Sequence, residues 1–188
     1  MKKNQKNRVA TLGFLISMEK KDMSVNTAEN KETDWKYHFH RKIIYEHFRK
    51  FNPESVLEAG CDKGGNLEWL IEYFPKIKKY GCDISDEDVA YGQKHFPEFE
   101  ITKGDVRNLP YSDKSIDVAI MDMVFYQTEY NPKAIEELKR VAKKGVIISD
   151  RNFGEIQNLL PSKYNLVIHN WDNEVGEFND YYIVSFKV

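Results

Sequence analysis

Cysteine is nearly absent: Cys61 and Cys82 are the only two in 188 residues, and neither stands in a CxxC or Cys/His pattern. So few thiols exclude a disulfide framework and a thiolate metal site, and no metal is expected. Both read as free thiols of a reducing compartment, which places the chain in the cytoplasm. Long apolar runs are missing too, since none approaches the roughly 18 residues of a membrane span. The short island Val9 to Ile16 follows a basic stretch but runs into Ser17-Met18-Glu19-Lys20 without a small-x-small cleavage site, which argues against a secretory signal. An excess of one charge is also lacking: the net charge is −2, so nucleic acid and membrane surfaces are not expected partners.

What is present suits a globular enzyme-sized unit. With 41% hydrophobic and 13% aromatic residues, the chain can build one domain but has no room for a second catalytic one. Residues 1–33 are rich in Lys, Asn, Glu and Ser and read as a flexible N-terminal arm. Residues 34–188 read as a single domain. It opens on a helix over 34–51 in which Trp35, Phe39, Ile43, Ile44, Phe48 and Phe51 recur at helical spacing, with Asp34 as N-cap.

Strand and helix signals then alternate. Strands are expected at Ser55–Ala59, Lys79–Ile84, Phe99–Thr102, Ile116–Met121 and Val146–Ser149, with a last pair at Leu166–His169 and Tyr182–Phe186. Leu67, Leu70, Ile71 and Phe74 form the stripe of a helix that Pro75 ends and for which Asn66 reads as the N-cap. Ser85-Asp86-Glu87-Asp88 offers a capping box for the next helix. A further helix opens at Asn131-Pro132, carries Ala134, Ile135, Leu138, Val141 and Ala142 inward, and is closed by Lys143, Lys144 and Gly145. A short helix is expected near Phe153–Leu160. The residues between the last two strands are too few for a helical crossover, so that pair should be antiparallel. The expected architecture is α/β: a doubly wound, mostly parallel seven-stranded sheet with an antiparallel last strand, binding ligands at the carboxyl ends of its strands.

The chemistry concentrates after the first strand, in Val56-Leu57-Glu58-Ala59-Gly60-Cys61-Asp62-Lys63-Gly64-Gly65-Asn66-Leu67. A strand that breaks into a glycine turn and re-enters a helix exposes backbone N–H groups to a closely approaching ligand. A pyrophosphate-binding turn would read G-x-G-x-x-G; here the spacing is Gly60-x-x-x-Gly64-Gly65. Downstream lie Tyr80-Gly81-Cys82-Asp83-Ile84-Ser85, Lys103-Gly104-Asp105-Val106 and Ser115-Ile116-Asp117-Val118-Ala119-Ile120-Met121-Asp122.

These motifs, in this order, resemble those of the class I S-adenosylmethionine-dependent methyltransferases, in particular their small-molecule branch, over about Ser55 to Asp150. The resemblance implies S-adenosyl-L-methionine as cofactor. Glu58, Gly60, Cys61, Asp62, Gly64 and Asn66 would wrap its methionine part, Asp83 would bind both ribose hydroxyls, and Ile84 would pack on adenine. Asp105 and Val106 would meet the adenine edge, and Asp122 would close the fourth motif. Blander roles stand beside these: turn glycines at Gly60 and Gly64, a helix cap at Asp83, and an Asx-turn at Asp105 before Arg107-Asn108.

The methyl carbon of such a cofactor is already activated, so the protein's main task is to align the acceptor and exclude water. By the same resemblance, the acceptor lies over Asp122 to Gln127 and under a lid from the N-terminal region. Tyr126, Gln127, Tyr37, His38 and His40 are the polar candidates there, and no catalytic residue is assigned. Tyr37-His38-Phe39-His40 also reads simply as one face of an amphipathic helix with histidines at its rim. Asp122-Met123-Val124-Phe125 lacks the Asn/Asp-Pro-Pro-aromatic signature of exocyclic-amine enzymes. Metal-dependent catechol-type enzymes suggest an alternative site at Asp122, Asp150 and Asn152, interrupted by Arg151. The expectation is methyl transfer to a small molecule by a monomer or homodimer. The rivals are a cofactor-binding protein without catalysis and a nicotinamide-dependent oxidoreductase.

Overall fold

A computed structural model describes residues 34–172 and 178–188; the expected arm over 1–33 lies outside the described residues. Helix α1 (Asp34–Arg49) leads into strand β1 (Ser55–Ala59), helix α2 (Gly65–Tyr73), strand β2 (Lys78–Asp83), helix α3 (Asp86–His95) and strand β3 (Glu100–Lys103). Strand β4 (Ile116–Asp122), a 3-10 turn at Phe125–Thr128, helix α4 (Pro132–Val141) and strand β5 (Ala142–Asp150) follow. Helix α5 (Phe153–Gln157) and strands β6 (Asn165–Asp172) and β7 (Phe178–Lys187) complete the order.

All seven strands form one sheet in the order β3-β2-β1-β4-β5-β7-β6. Pairing is parallel from β3 through β5, and β7 runs antiparallel to both β5 and β6. The sheet is therefore the expected one. Its strand order reverses between β1 and β4, which leaves a crevice outside their carboxyl ends.

Period-two alternation along the central strands feeds two cores. On one face Val56, Val118, Ile120 and Ile147 meet Ile43, Ile44 and Phe48 of α1, Leu67 and Leu70 of α2, and Val89 of α3. On the other face Leu57, Ala119, Met121 and Ile148 meet Ala134, Ile135, Leu138 and Val141 of α4. β4 is buried along nearly its whole length, as expected of a strand covered on both sides. Fully burying each such aliphatic side chain is worth about 1.5–3 kcal/mol, so the two layers hold the strand ends in fixed register.

Two local expectations are corrected. The cap of α2 is Gly64, left-handed at φ 88° and without a side-chain bond, so Asn66 is not the N-cap and its amide is free for other partners. α4 ends at Val141 and β5 starts at once, making Lys143, Lys144 and Gly145 strand residues rather than a helix stop. Tertiary contacts outweigh the local signal here: the Lys144 ammonium lies 2.8 Å from the buried Asp117 carboxylate and 2.9 Å from the Asn52 carbonyl. The caps at Ser85 and Asn131 agree with the sequence, with Ser85 Oγ accepting from the Asp88 N–H and the Asn131 side chain from that of Lys133.

Gly145 is buried against the Phe51 ring, with no space for a Cβ. Gly145→Ala is expected to lower stability by about 1–3 kcal/mol, read as a lower urea midpoint at unchanged m-value.

Candidate active site

The turn after β1 is held open by backbone geometry. Gly60 has φ 78°, and a Cβ there would overlap the Val124 side chain. The N–H groups of Gly60 and Cys61 both donate to the Cys82 carbonyl, at 2.7 and 3.1 Å, which lashes the turn to the end of β2. Asp62 is left-handed at φ 48°, and its N–H donates to Asp83 Oδ2 at 2.9 Å, while the Ser85 N–H donates to Asp83 Oδ1 at 3.0 Å. Asp83 thus braces the glycine turn against the start of α3. Ile84 beside it is 64% exposed, a bare apolar plate next to a carboxylate.

Asp105 stands in the Asx-turn anticipated as its plainer role: its Oδ1 accepts from the Arg107 N–H at 2.8 Å. The Arg107 side chain also grips the carboxylate, at 2.9 Å from Nε to Oδ1, and holds its pKa below the usual range. Val106 is buried, in the same core as α4.

At the strand reversal, the structure brings Glu58, Asn66, Asp122 and His40 together. Asn66 Nδ2 donates to Glu58 Oε1 at 2.5 Å and to Asp122 Oδ2 at 3.3 Å. Arg41 Nε donates to Asn66 Oδ1 at 2.7 Å. His40 Nε2 lies 2.8 Å from Asp122 Oδ1 and 3.0 Å from Ser149 Oγ. His40 is 5% exposed, so it belongs to the site's interior and not to a helix rim. A cavity beside the cluster is lined by Arg41, Tyr45, Glu58, Asn66, Leu67 and Asp122, among others.

The two carboxyl groups are held in different states. Burial pushes Glu58 up to about 8, against the bond from Asn66 that favours its ionised form. Burial pushes on Asp122 as well, but hydrogen bonds from His40 and Ser149 bring it below the usual carboxylate range. Near neutral pH the pair holds one proton, on Glu58, and one negative charge, on Asp122. Glu58 Oε2 and His40 Nδ1 are buried with no hydrogen-bond partner among the described residues.

The remaining candidates are less engaged with this cluster. Tyr126 is 45% exposed, and Gln127 spends its amide on the Met123 carbonyl at 3.2 Å. Tyr37 and His38 fall on α1, but their side chains lie outside the described residues. The catechol-type set does not fit a cation: the buried Asp150 carboxylate accepts from the backbone N–H groups of Tyr126, Arg151 and Asn152 at 3.0, 2.7 and 3.2 Å. Those bonds occupy three of the roughly four lone-pair sites of the carboxylate and aim it at the backbone. No group of three or more His, Cys, Asp and Glu is gathered for a metal among the described residues. Arg41, Tyr45 and Ser149 were absent from the sequence-derived set. The signal for two of them was an arginine and a tyrosine four residues apart, next to His40, on a face otherwise read as apolar.

A family model described as a methyltransferase domain matches residues 57–149, about half of the chain. The chain is 26% identical over 171 residues to the demethylmenaquinone methyltransferase of Thermotoga maritima, covering 84% of this chain and 69% of that protein. It is 28% identical over 106 residues to the malonyl-[acyl-carrier protein] O-methyltransferase of Methylococcus capsulatus, covering 55% of this chain and 38% of that protein. Among solved structures, the plantazolicin methyltransferase BpumL, in complex with a pentazolic desmethylPZN analog and SAH, matches with a TM-score of 0.63 at 16% identity, over 82% of this chain and 88% of that one. At that identity the likeness is one of fold. The chain belongs to the class I S-adenosylmethionine-dependent methyltransferase family. It spans well under half the length of the Methylococcus relative.

The raised pKa of Glu58 makes stability depend on pH. The folded state keeps a proton that the unfolded chain releases near 4.5, so this group costs stability as pH rises from about 4.5 to about 8 and adds no further loss above that. Glu58→Gln removes the loss. Urea unfolding is expected to show the variant gaining on the wild type by up to ~1.4 kcal/mol per pH unit across that window, with a constant offset at higher pH.

Proposed function

We propose that this chain transfers the methyl group of S-adenosyl-L-methionine to a small-molecule acceptor. The observation that carries the reading is the pairing, at the reversal of strand order, of a braced glycine turn with the Asp83–Ile84 step and the buried Glu58–Asn66–Asp122 cluster. An exposed isoleucine beside a carboxylate with spare lone pairs suits a nucleoside, the plate taking the base and Asp83 the ribose hydroxyls. Asp105 and Val106 border the same side, with Arg107 fixing the carboxylate.

Gly60, Cys61, Asp62 and Gly64 bring backbone close to the methionine part, where a side chain at Gly60 would collide with Val124. Glu58 and Asp122, linked by Asn66, are placed to receive a cationic group, and an arriving positive charge draws the proton off Glu58. When bound, the cofactor supplies a methyl group on a positively charged sulfur. The chain's part is to hold acceptor and methyl carbon in line and to exclude water. Tyr126 and Gln127 stand on the acceptor side, with the 3-10 turn fixed by Asp150 through the Tyr126 N–H.

In this reading residues 34–188 act as one catalytic domain with α1 as its lid, working as a monomer or homodimer in the cytoplasm. None of the described helices is long and apolar enough to cross a membrane. The cysteines are free, as a reducing compartment allows.

Titration calorimetry with S-adenosylhomocysteine checks the cofactor. The wild type is expected to bind, and Asp83→Ala to bind at least ~10-fold more weakly through loss of two charge-assisted hydrogen bonds. Absence of binding by the wild type would sink the proposal. A labelled-methyl screen across metabolite, protein and RNA fractions then locates the acceptor, with label expected in the metabolite fraction.

A further inference from the structure

We propose that His40, oriented by Asp122, is the general base that takes the proton from a hydroxyl-bearing acceptor. This rests on the methyl-transfer reading and adds to it the chemical class of the acceptor.

The argument starts from the two ring nitrogens. Nε2 lies between Asp122 Oδ1 at 2.8 Å and Ser149 Oγ at 3.0 Å. An ionised carboxylate can only accept, so the tautomer that satisfies the 2.8 Å contact with Asp122 Oδ1 has its hydrogen on Nε2, with the Ser149 hydroxyl oxygen also within its reach. A neutral ring with its proton on Nε2 has its lone pair on Nδ1. That nitrogen is buried and has no hydrogen-bond partner among the described residues. A desolvated imidazole nitrogen with nothing to accept from is an unusual expense in a folded interior, and a ligand's O–H would relieve it. The carboxylate behind the ring fixes its tautomer and stabilises the imidazolium that forms after proton transfer.

Position agrees with the chemistry. Asp122 and Ser149 stand at the carboxyl ends of β4 and β5, beside the strand reversal, so the ring is buried at the end of the sheet where ligands of such folds bind. The edge of Tyr181 from β7 meets the ring at a centroid distance of 5.6 Å, and Arg151 lies over Tyr181 at 5.3 Å. The other charged neighbours reach it through Asn66: Glu58 from β1 and Arg41 from α1. No cation is hydrogen-bonded to the ring among the described residues.

A base on this scale matters for one kind of acceptor. A neutral hydroxyl is a weak nucleophile that must shed its proton as it attacks, whereas a carboxylate is already anionic. The hydroxyl oxygen bonds to the methyl carbon, the carbon–sulfur bond breaks with its electron pair going to sulfur, and the hydroxyl proton passes to Nδ1 and then to solvent. The product is a methyl ether, and no oxidant or reductant is consumed.

Two measurements on the full chain with saturating S-adenosylhomocysteine or S-adenosylmethionine decide the matter. Long-range proton–nitrogen spectra of histidine-labelled wild type with S-adenosylhomocysteine are expected to show His40 as the Nε2–H tautomer, with Nδ1 unprotonated at neutral pH. A proton on Nδ1 overturns the proposal, whether or not any acceptor turns over. Transfer of labelled methyl is then followed with catechol and 1-naphthol as hydroxyl probes and phenylacetate as a carboxylate probe. Hydroxyl probes are expected to give a kcat that falls tenfold per pH unit on the acid side, and His40→Gln to lose that limb and about 100-fold or more in kcat. His40→Gln should keep S-adenosylhomocysteine affinity within about threefold, and added imidazole should partly restore His40→Ala. Retention of rate and acid limb by His40→Gln, or methylation of phenylacetate alone, overturns the proposal. Failure of the wild type to bind S-adenosylhomocysteine instead strikes at the methyl-transfer reading.

Discussion

Two carboxyl groups at neighbouring strand ends share one amide, and the upper surface of the molecule is organised around that bridge. Asn66 links Glu58 of β1 to Asp122 of β4 across the point where strand order reverses. The bridge is possible because the cap of α2 falls on a left-handed glycine, which leaves the asparagine one step inside the helix with its amide directed at the sheet. Burial penalises charge on Glu58 and the nearby Asp122 carboxylate adds to that penalty, so Glu58 keeps its proton while Asp122 is given a histidine. Polar chemistry sits here because two apolar cores below it hold the strands in register, and both use the same central strands from opposite faces.

α1 joins the cores to the site. Its later turns are seated by apolar contact, with Ile43, Ile44 and Phe48 buried, whereas His40 and Arg41 one turn earlier are hydrogen-bonded to Asp122 and Asn66. The helix is therefore anchored at one end by the hydrophobic effect and fastened at the other by hydrogen bonds, which are individually weaker and exchangeable with a ligand's. Such a division suits a cover that must hold and yet answer to what lies beneath it.

Much of this was readable in the amino-acid order. The nearly continuous apolar run of β4, the glycine turn after β1 and the Ser85 and Asn131 caps each have a local physical cause, and all appear where expected. The misreadings share a different cause. Lys143, Lys144 and Gly145 look like a helix stop, yet Asp117 and Phe51, distant in sequence, claim them for a strand. Asn66 looks like a cap because cap preference is local, while its actual partners lie 8, 25 and 56 residues away. His40 could not be distinguished from a rim histidine, because its burial depends on β4 and β5 arriving opposite it. Chemistry made by long-range contacts leaves little trace in neighbouring residues.

The placement of β7 between β5 and β6 bears on the order of assembly. During synthesis β5 keeps a bare edge until residues 178–187 have emerged, and that strand carries Ser185, to which His47 of α1 is joined at 2.6 Å. Among the described elements, the bond that ties α1 to the far side of the sheet can therefore form only after β7 has been made.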